Sequence, residues 1–212
     1  MKEKKRTGRP IDRRKDEAMW AAAHALLFKN GPSAVSVEAV ARLAGLSKMT
    51  VYSRYANREA LIAAVIQRQA DQMAASLSFA PESQGNLQEA LTAFGVRLLS
   101  FLLSETHLGF MRALRSAAAF PADAMHTIFR FGPQSTLDNL AQWMRQAHRA
   151  RLAHIPRPER SAELLLGMLT GLDIVRAMYG EPCRQTHRTI TRHVRGIVTA
   201  FLTLHERRQS LP

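Results

Sequence analysis

The chain has 212 residues, 46% of them hydrophobic, with a formal net charge of +13 and a pI near 11.1. That length can bury a sizeable core, as one extended domain or a small module joined to a larger one. No apolar run approaches the roughly 18 residues that cross a bilayer, no apolar signal segment follows the basic N-terminus, and a single cysteine, Cys183, excludes an internal disulfide. These features point to a cytoplasmic protein that does not enter a membrane, and the charge favours a polyanionic partner. Residues 1–70 carry a net +8, and all six lysines lie at or before Lys48. Charge and composition therefore divide the chain into a basic N-terminal module and a larger remainder.

Residues 1–12 form a basic arm that begins "MKEKKRTGRP". Gly8-Arg9-Pro10, beside Lys4, Lys5 and Arg6, resembles an AT-hook core, in which Arg9 enters a narrow minor groove. A solvated, non-specific tail is the competing reading. Helical periodicity then predicts a first helix over about 13–29, with Met19, Ala22, Ala23, Leu26 and Leu27 inward and Gly31 as its stop. A short second helix follows Ser36 as N-cap, with Val35 and Val40 at the positions of a hydrophobic staple. Gly45 ends it, and Ser47 opens a third with the same grammar, Leu46 stapling to Val51. Two short helices around a glycine turn predict a helix-turn-helix. Asn57 caps a fourth helix, whose Leu61, Ile62, Val65 and Ile66 pack beneath the pair.

The third helix, laid out at about 100° per residue, has three faces. Val51 and Tyr55 turn inward, Met49 and Ser53 face away, and Lys48 with Tyr52 and Thr50 with Arg54 form the flanks. Roughly eight residues span about 12 Å, close to the width of the DNA major groove. The outward pair can meet base edges while hydroxyls and cations on the flanks meet phosphates. Arg58 at the start of the fourth helix opposes the positive end of the helix dipole, a conflict that a DNA phosphate would relieve and that an exposed arginine would simply tolerate.

Residues 31–66, "GPSAVSVEAVARLAGLSKMTVYSRYANREALIAAVI", resemble the DNA-binding module of the TetR family of bacterial transcriptional regulators. The match includes Gly31, Ser36, the turn Ala44-Gly45-Leu46-Ser47, Thr50 and Tyr52, then Glu59 and Leu61. Met49 stands where glycine is frequent, Ala56 follows Tyr55 where phenylalanine is common, and Arg58 replaces a usual lysine. The resemblance implies an all-α chain of about nine or ten helices: a DNA-binding domain at 13–56, a connecting helix at 57–78, and a ligand-binding and dimerisation domain at 86–206. The residues set against double-stranded operator DNA are Ser36, Ser47, Lys48, Met49, Thr50, Tyr52, Ser53, Arg54 and Arg58, with Arg9 from the arm. More narrowly, "FMRALRSAAAFPADAMHTIFRFGP" and "IPRPERSAELLLGMLTG" are similar to AefR-like C-terminal domains.

In that larger domain, apolar-periodic segments run near 87–104, 108–119, 122–131, 134–152, 159–179 and 184–206. Six of the nine phenylalanines lie between Phe94 and Phe131. Phe94, Leu98, Phe101, Phe110, Met111, Phe129, Trp143 and Met144 are the candidate lining of a pocket for a largely apolar small-molecule effector, with His107, Arg112 or His126 orienting a polar group. Ordinary core packing accounts for the same residues. Leu165, Met168 and Leu172 on one helix and Val194, Ile197 and Phe201 on the last are the candidate homodimer interface, a four-helix bundle across a two-fold axis. Burial within one subunit is the alternative.

Catalysis finds no support: the eight histidines form no HxxxH pair and no nucleophile or carboxylate cluster stands out, so no metal or cofactor is expected. Cys183 near Arg184 and His187 reads either as an activated thiol or, more simply, as an inert one in a loop. The expected function is a repressor that leaves a near-palindromic operator when an effector binds. An activator or ligand-independent regulator, and outside DNA binding a helical protein- or membrane-interaction module, are the other readings.

Overall fold

The computed structural model describes residues 13–77, 80–116, 122–186 and 188–205, and these are helical with no strand. The basic arm, with Arg9 and the Gly8-Arg9-Pro10 core, lies outside the described residues. Helix α1, Arg13–Asn30, leads through a 3-10 turn, Pro32–Ala34, to α2, Val37–Ala44, and α3, Lys48–Tyr52. Helix α4, Arg58–Met73, runs from there into the second module. That module contains α5, Gln84–Leu102; α6, Glu105–Ser116; α7, Ala122–Phe129; α8, Ser135–Arg149; α9, Pro158–Thr170; α10, Asp173–Tyr179; and α11, Ile190–Leu204.

Side chains that satisfy free backbone donors fix where the N-terminal helices begin. Ser36 Oγ accepts from Ala39 N at 3.0 Å, Ser47 Oγ from Thr50 N at 3.2 Å, and Asn57 Oδ1 from Ala60 N at 2.8 Å. Each such cap contributes about 1 kcal/mol. Gly45, at φ 67°, turns the chain left-handed so that its N–H and that of Leu46 meet carbonyls at the end of α2. Both predicted staples form: Val35, Val40 and Val51 are buried, with Leu46 half-buried among them.

Two apolar cores result, and they do not follow the module boundary. The first gathers Met19, Ala23 and Leu27 of α1 with Val40, Val51, Leu61 and Val65, and it is closed by Phe110 of α6 and Ile128 of α7. The second joins α5, α8, α9 and α11. Helix α1 therefore packs on α6 as well as on α2 and α4.

Several expectations change in the second module. The segment expected over 159–179 is broken at Gly171, whose φ of 48° no right-handed helix accommodates. Beyond the break the buried Asp173 carboxylate accepts N–H groups of Arg184 at 2.8 Å and Gln185 at 3.0 Å, which holds the loop against α10 and delays α11 to Ile190. Between α7 and α8 the chain does not stop: a π turn, Arg130–Gln134, takes Pro133 into a continuous helical path. Leu165, Val194 and Phe201, expected between subunits, are each 0% exposed inside their own subunit. A broad apolar stripe on α9 and α11 serves the subunit core first; Met168 and Ile197 at its margins keep part of their surface, Leu164 is exposed, and Leu172, expected on the same helix, is exposed beyond the break at Gly171.

Candidate functional site

The face around α3 carries the residues expected there, with one geometric difference. Helix α3 has five residues rather than eight, because the chain turns at Ser53, although Tyr55 N still bonds to Val51 O at 3.0 Å. Val51 is fully buried and Tyr55 half-buried, as the wheel requires. Burial, with the nearby Asp16 carboxylate, raises the Tyr55 phenol above its ordinary value. Met49 is 76% and Tyr52 49% exposed, and Ser47, Lys48 and Ser53 lie on the same open surface.

Hydrogen bonds narrow what each hydroxyl can offer. Ser53 donates to Thr50 O at 2.8 Å, so its outward lone pairs can accept but its proton is engaged. Ser47 and Thr50 hydroxyls share a 2.8 Å bond beside the helix start. Ser36 is half-buried and acts as the cap of α2. Lys48 pairs with Glu38 at 3.2 Å on the exposed surface, a contact of small energy that a phosphate can replace.

Arg58 does something other than expected. Its Nε donates to Val35 O at 2.8 Å and its Nη2 to Pro32 O at 2.7 Å. The conflict with the helix dipole is answered by carbonyl oxygens of the turn before α2, which the guanidinium clamps through Nε and Nη2. Arg58→Ala is therefore expected to cost about 1.5–3 kcal/mol of stability and to leave the salt dependence of DNA binding unchanged. A phosphate role would instead lower the salt slope by about one per subunit without lowering stability.

Arg54 is likewise engaged, its Nε donating to Asp16 Oδ1 of α1 at 2.9 Å. At the next residue of α1, Arg68 of α4 holds the Glu17 carboxylate at 2.7 and 2.6 Å and stacks 4.4 Å from the centroid of the Trp20 ring. His24 Nε2 then meets Gln69 Oε1 at 3.1 Å. Asp16, Glu17, Trp20 and His24 thus tie one side of α1 to the end of α3 and the length of α4.

That side of α1 leads to a cavity of about 320 Å³ between the modules. Phe28 comes from α1, and Ile66, Gln69, Ala70 and Met73 from α4. Leu98, Phe101 and Leu102 of α5 and His107, Phe110 and Met111 of α6 close the opposite side. The π turn contributes Gly132 and Pro133, followed by Thr136. Of the expected lining, Leu98, Phe101, Phe110 and Met111 are brought together here. Phe94, Trp143 and Met144 are at most 2% exposed within the second core and do not border it, and Phe129 is 55% exposed on the surface. Sequence reasoning missed Phe28, on a helix assigned to the DNA-binding module, and Gln69 and Met73, on the helix assigned as a connection; the aromatic Phe28, one residue past the inward Leu27, was the available signal.

His107, expected as a polar group of the pocket, does line it, whereas Arg112 borders an outer cavity and His126 is exposed. Burial pushes its imidazole down to about 4 from 6.5. In the folded protein the ring is thus neutral at pH values where the unfolded chain binds a proton. Stability is complete above pH 6.5, falls between 6.5 and 4, and has lost roughly 3 kcal/mol below that. Unfolding curves of the protein and of His107→Phe across this range check this: the variant's loss on acidification is expected to be smaller by that amount.

Among the described residues no group of three His, Cys, Asp or Glu side chains could hold a metal ion, and no single helix is long and apolar enough to cross a membrane. The Cys183 thiol donates to Asp173 O at 3.6 Å, and burial with the Asp173 carboxylate raises it, the reverse of activation.

Comparison with known proteins agrees with both halves of this arrangement. Residues 20–65 match the family model of bacterial regulatory proteins of the tetR family, and residues 89–206 match that of the AefR-like transcriptional repressor C-terminal domain. No curated protein sequence matches the chain. Among solved structures, a TetR-family transcriptional regulator from Mesorhizobium loti is 26% identical, with a TM-score of 0.68 over 93% of this chain and 100% of that one. The flavonoid-responsive regulator FrrA is also 26% identical, with a TM-score of 0.65 over 92% of this chain and 98% of its own. A TetR regulator from Agrobacterium tumefaciens, at 22% identity and a TM-score of 0.69 over 90% and 94%, shares the fold. The helix-turn-helix at one end, the helical domain at the other and these matches make the chain a member of the TetR family, a DNA-binding transcriptional regulator with an AefR-like C-terminal domain.

Proposed function

We propose that the protein is a homodimeric repressor that binds a near-palindromic operator in the cytoplasm and is released when a largely apolar small molecule occupies the cavity between the modules. One observation carries this reading: Phe28, Ile66, Gln69, Ala70 and Met73 wall the cavity from the DNA-binding side, and four of the five lie on α4, which only five residues separate from α3. A molecule that enlarges this space displaces α4, and with it α3. By reciprocal linkage, whatever prefers the displaced arrangement weakens DNA binding. The flavonoid-responsive relative, similar over most of its length, supports a small aromatic effector.

Exposed DNA-facing residues are Ser47, Lys48, Met49, Tyr52 and Ser53, with Thr50 on the flank. They offer few base contacts, each worth about 1–3 kcal/mol, so two half-sites are needed for selectivity. The dimer is expected to use the outer margins of α9 and α11, where Leu164, Gly167, Gly196 and Ala200 are exposed and Met168 and Ile197 half-buried, and where Gly167 and Gly196 have open space beside them. Footprinting tests the reading. A symmetric protected site is expected, and no sequence-specific protection at physiological salt would overturn it.

A further inference from the structure

Among the described residues, no charged side chain lines the cavity. An ionised ligand group there would lose its hydration without a counter-ion, at a cost of several kcal/mol. Its polar groups are few, and most are already committed. Thr136 Oγ1 donates to Gly132 O and Thr170 Oγ1 to Leu166 O, both at 3.0 Å, and Gln69 Oε1 is engaged with His24. Apart from the Gln69 amide N–H groups, which can only donate, His107 remains: its Nδ1 is buried and has no hydrogen-bond partner among the described residues. Such an orphan is unfavourable and calls for a reason.

The surroundings of His107 are aromatic. Its ring lies 4.6 Å from the Phe101 ring centroid and 6.2 Å from that of Phe110, and Phe28 lies 5.7 and 4.9 Å from the same two rings. Tilted and edge-on rings at such spacing present faces and edges to which a flat guest adds with the ordinary aromatic preference. On the other side of His107 a second cavity of about 390 Å³ shares the wall formed by Leu102, His107, Met111 and Thr170. Among the described residues the sole charged one bordering either space is Arg112, in this outer one, exposed and 3.5 Å from Glu105. An anionic group therefore finds a partner only outside, while the inner space suits a neutral molecule.

We propose that the inner cavity takes an uncharged, ring-bearing molecule with one hydroxyl or carbonyl group, and that His107 is the residue that selects this group. The proposal rests on the reading of the cavity as the effector site. Because burial keeps the imidazole neutral, it can accept from a hydroxyl or donate to a carbonyl, according to tautomer. A ligand hydroxyl or carbonyl that met Nδ1 would give the orphaned nitrogen its partner.

Isothermal titration of the full-length protein at neutral pH with para-phenylphenol, biphenyl and biphenyl carboxylate tests this. Para-phenylphenol is expected to bind about tenfold tighter than biphenyl, one net hydrogen bond's worth, and the carboxylate weakest of the three. His107→Phe should erase the phenol's advantage while biphenyl binds as before, and His107→Gln should restore part of it. An unchanged phenol-to-biphenyl ratio in His107→Phe, or tightest binding of the carboxylate, overturns the selection by His107 and leaves the cavity reading intact. If none of the three binds either protein, the cavity reading falls as well.

Discussion

Trp143→Ala is expected to lower the stability of the protein by roughly 3–5 kcal/mol and to leave the inner cavity and its ligand affinity nearly unchanged. The indole is 2% exposed and packs in the core shared by α5, α8, α9 and α11, away from the space between the modules. Removing it leaves a hole that the surrounding helices refill only in part. Met111→Ala is the informative contrast, because Met111 is half-buried and borders both cavities. It is expected to cost much less stability and to change ligand affinity more. Urea unfolding and titration on the two variants give both numbers; a stable Trp143→Ala protein that has lost its ligand would return the pocket to the place the sequence first suggested.

The second large effect concerns DNA. Tyr52→Phe removes one exposed hydroxyl from the flank of α3 and is expected to cost about 1 kcal/mol per half-site, roughly thirtyfold for a dimer, nearly equally across operator variants. Ser53→Ala is expected to act differently. The Ser53 proton is engaged with Thr50 O, so only its lone pairs are left to meet a base edge, and the group they match is an amino group of cytosine or adenine. Its loss should alter the preference among operators more than the mean affinity. Equal, uniform losses from both substitutions would show that neither residue reads a base.

Local features were legible in the sequence and distant ones were not. Ser36, Ser47 and Asn57 announce helix starts because their partners lie three residues away. The staples and the Gly45 turn follow from spacing alone. Arg58 could not be read this way: the carbonyls it holds lie 26 and 23 residues earlier, in a turn whose approach depends on how α4 packs. Periodicity likewise marks Phe94, Leu98 and Phe101 as inward without saying which inward side chains meet others and which leave a gap. The first packs fully, and the other two border the cavity. The stripe on α11 has the same ambiguity, since a helix between its own core and a second subunit is apolar on more than one side; Val194 and Phe201 belong to the core, and Gly196 and Ala200 stand open. The contribution of α1 to the cavity, through Phe28, needed the docking of α1 on α6, which no local pattern contains.

The central claim is that occupancy of the cavity and operator binding are coupled through α4. The direct measurement is the operator dissociation constant, at fixed salt, without ligand and with a molecule shown by titration to saturate the cavity. A coupling free energy of about 1–3 kcal/mol predicts an affinity lowered roughly 5- to 150-fold, and ligand affinity lowered by the same factor when operator is bound. An operator affinity that stays the same with the cavity filled would contradict the account.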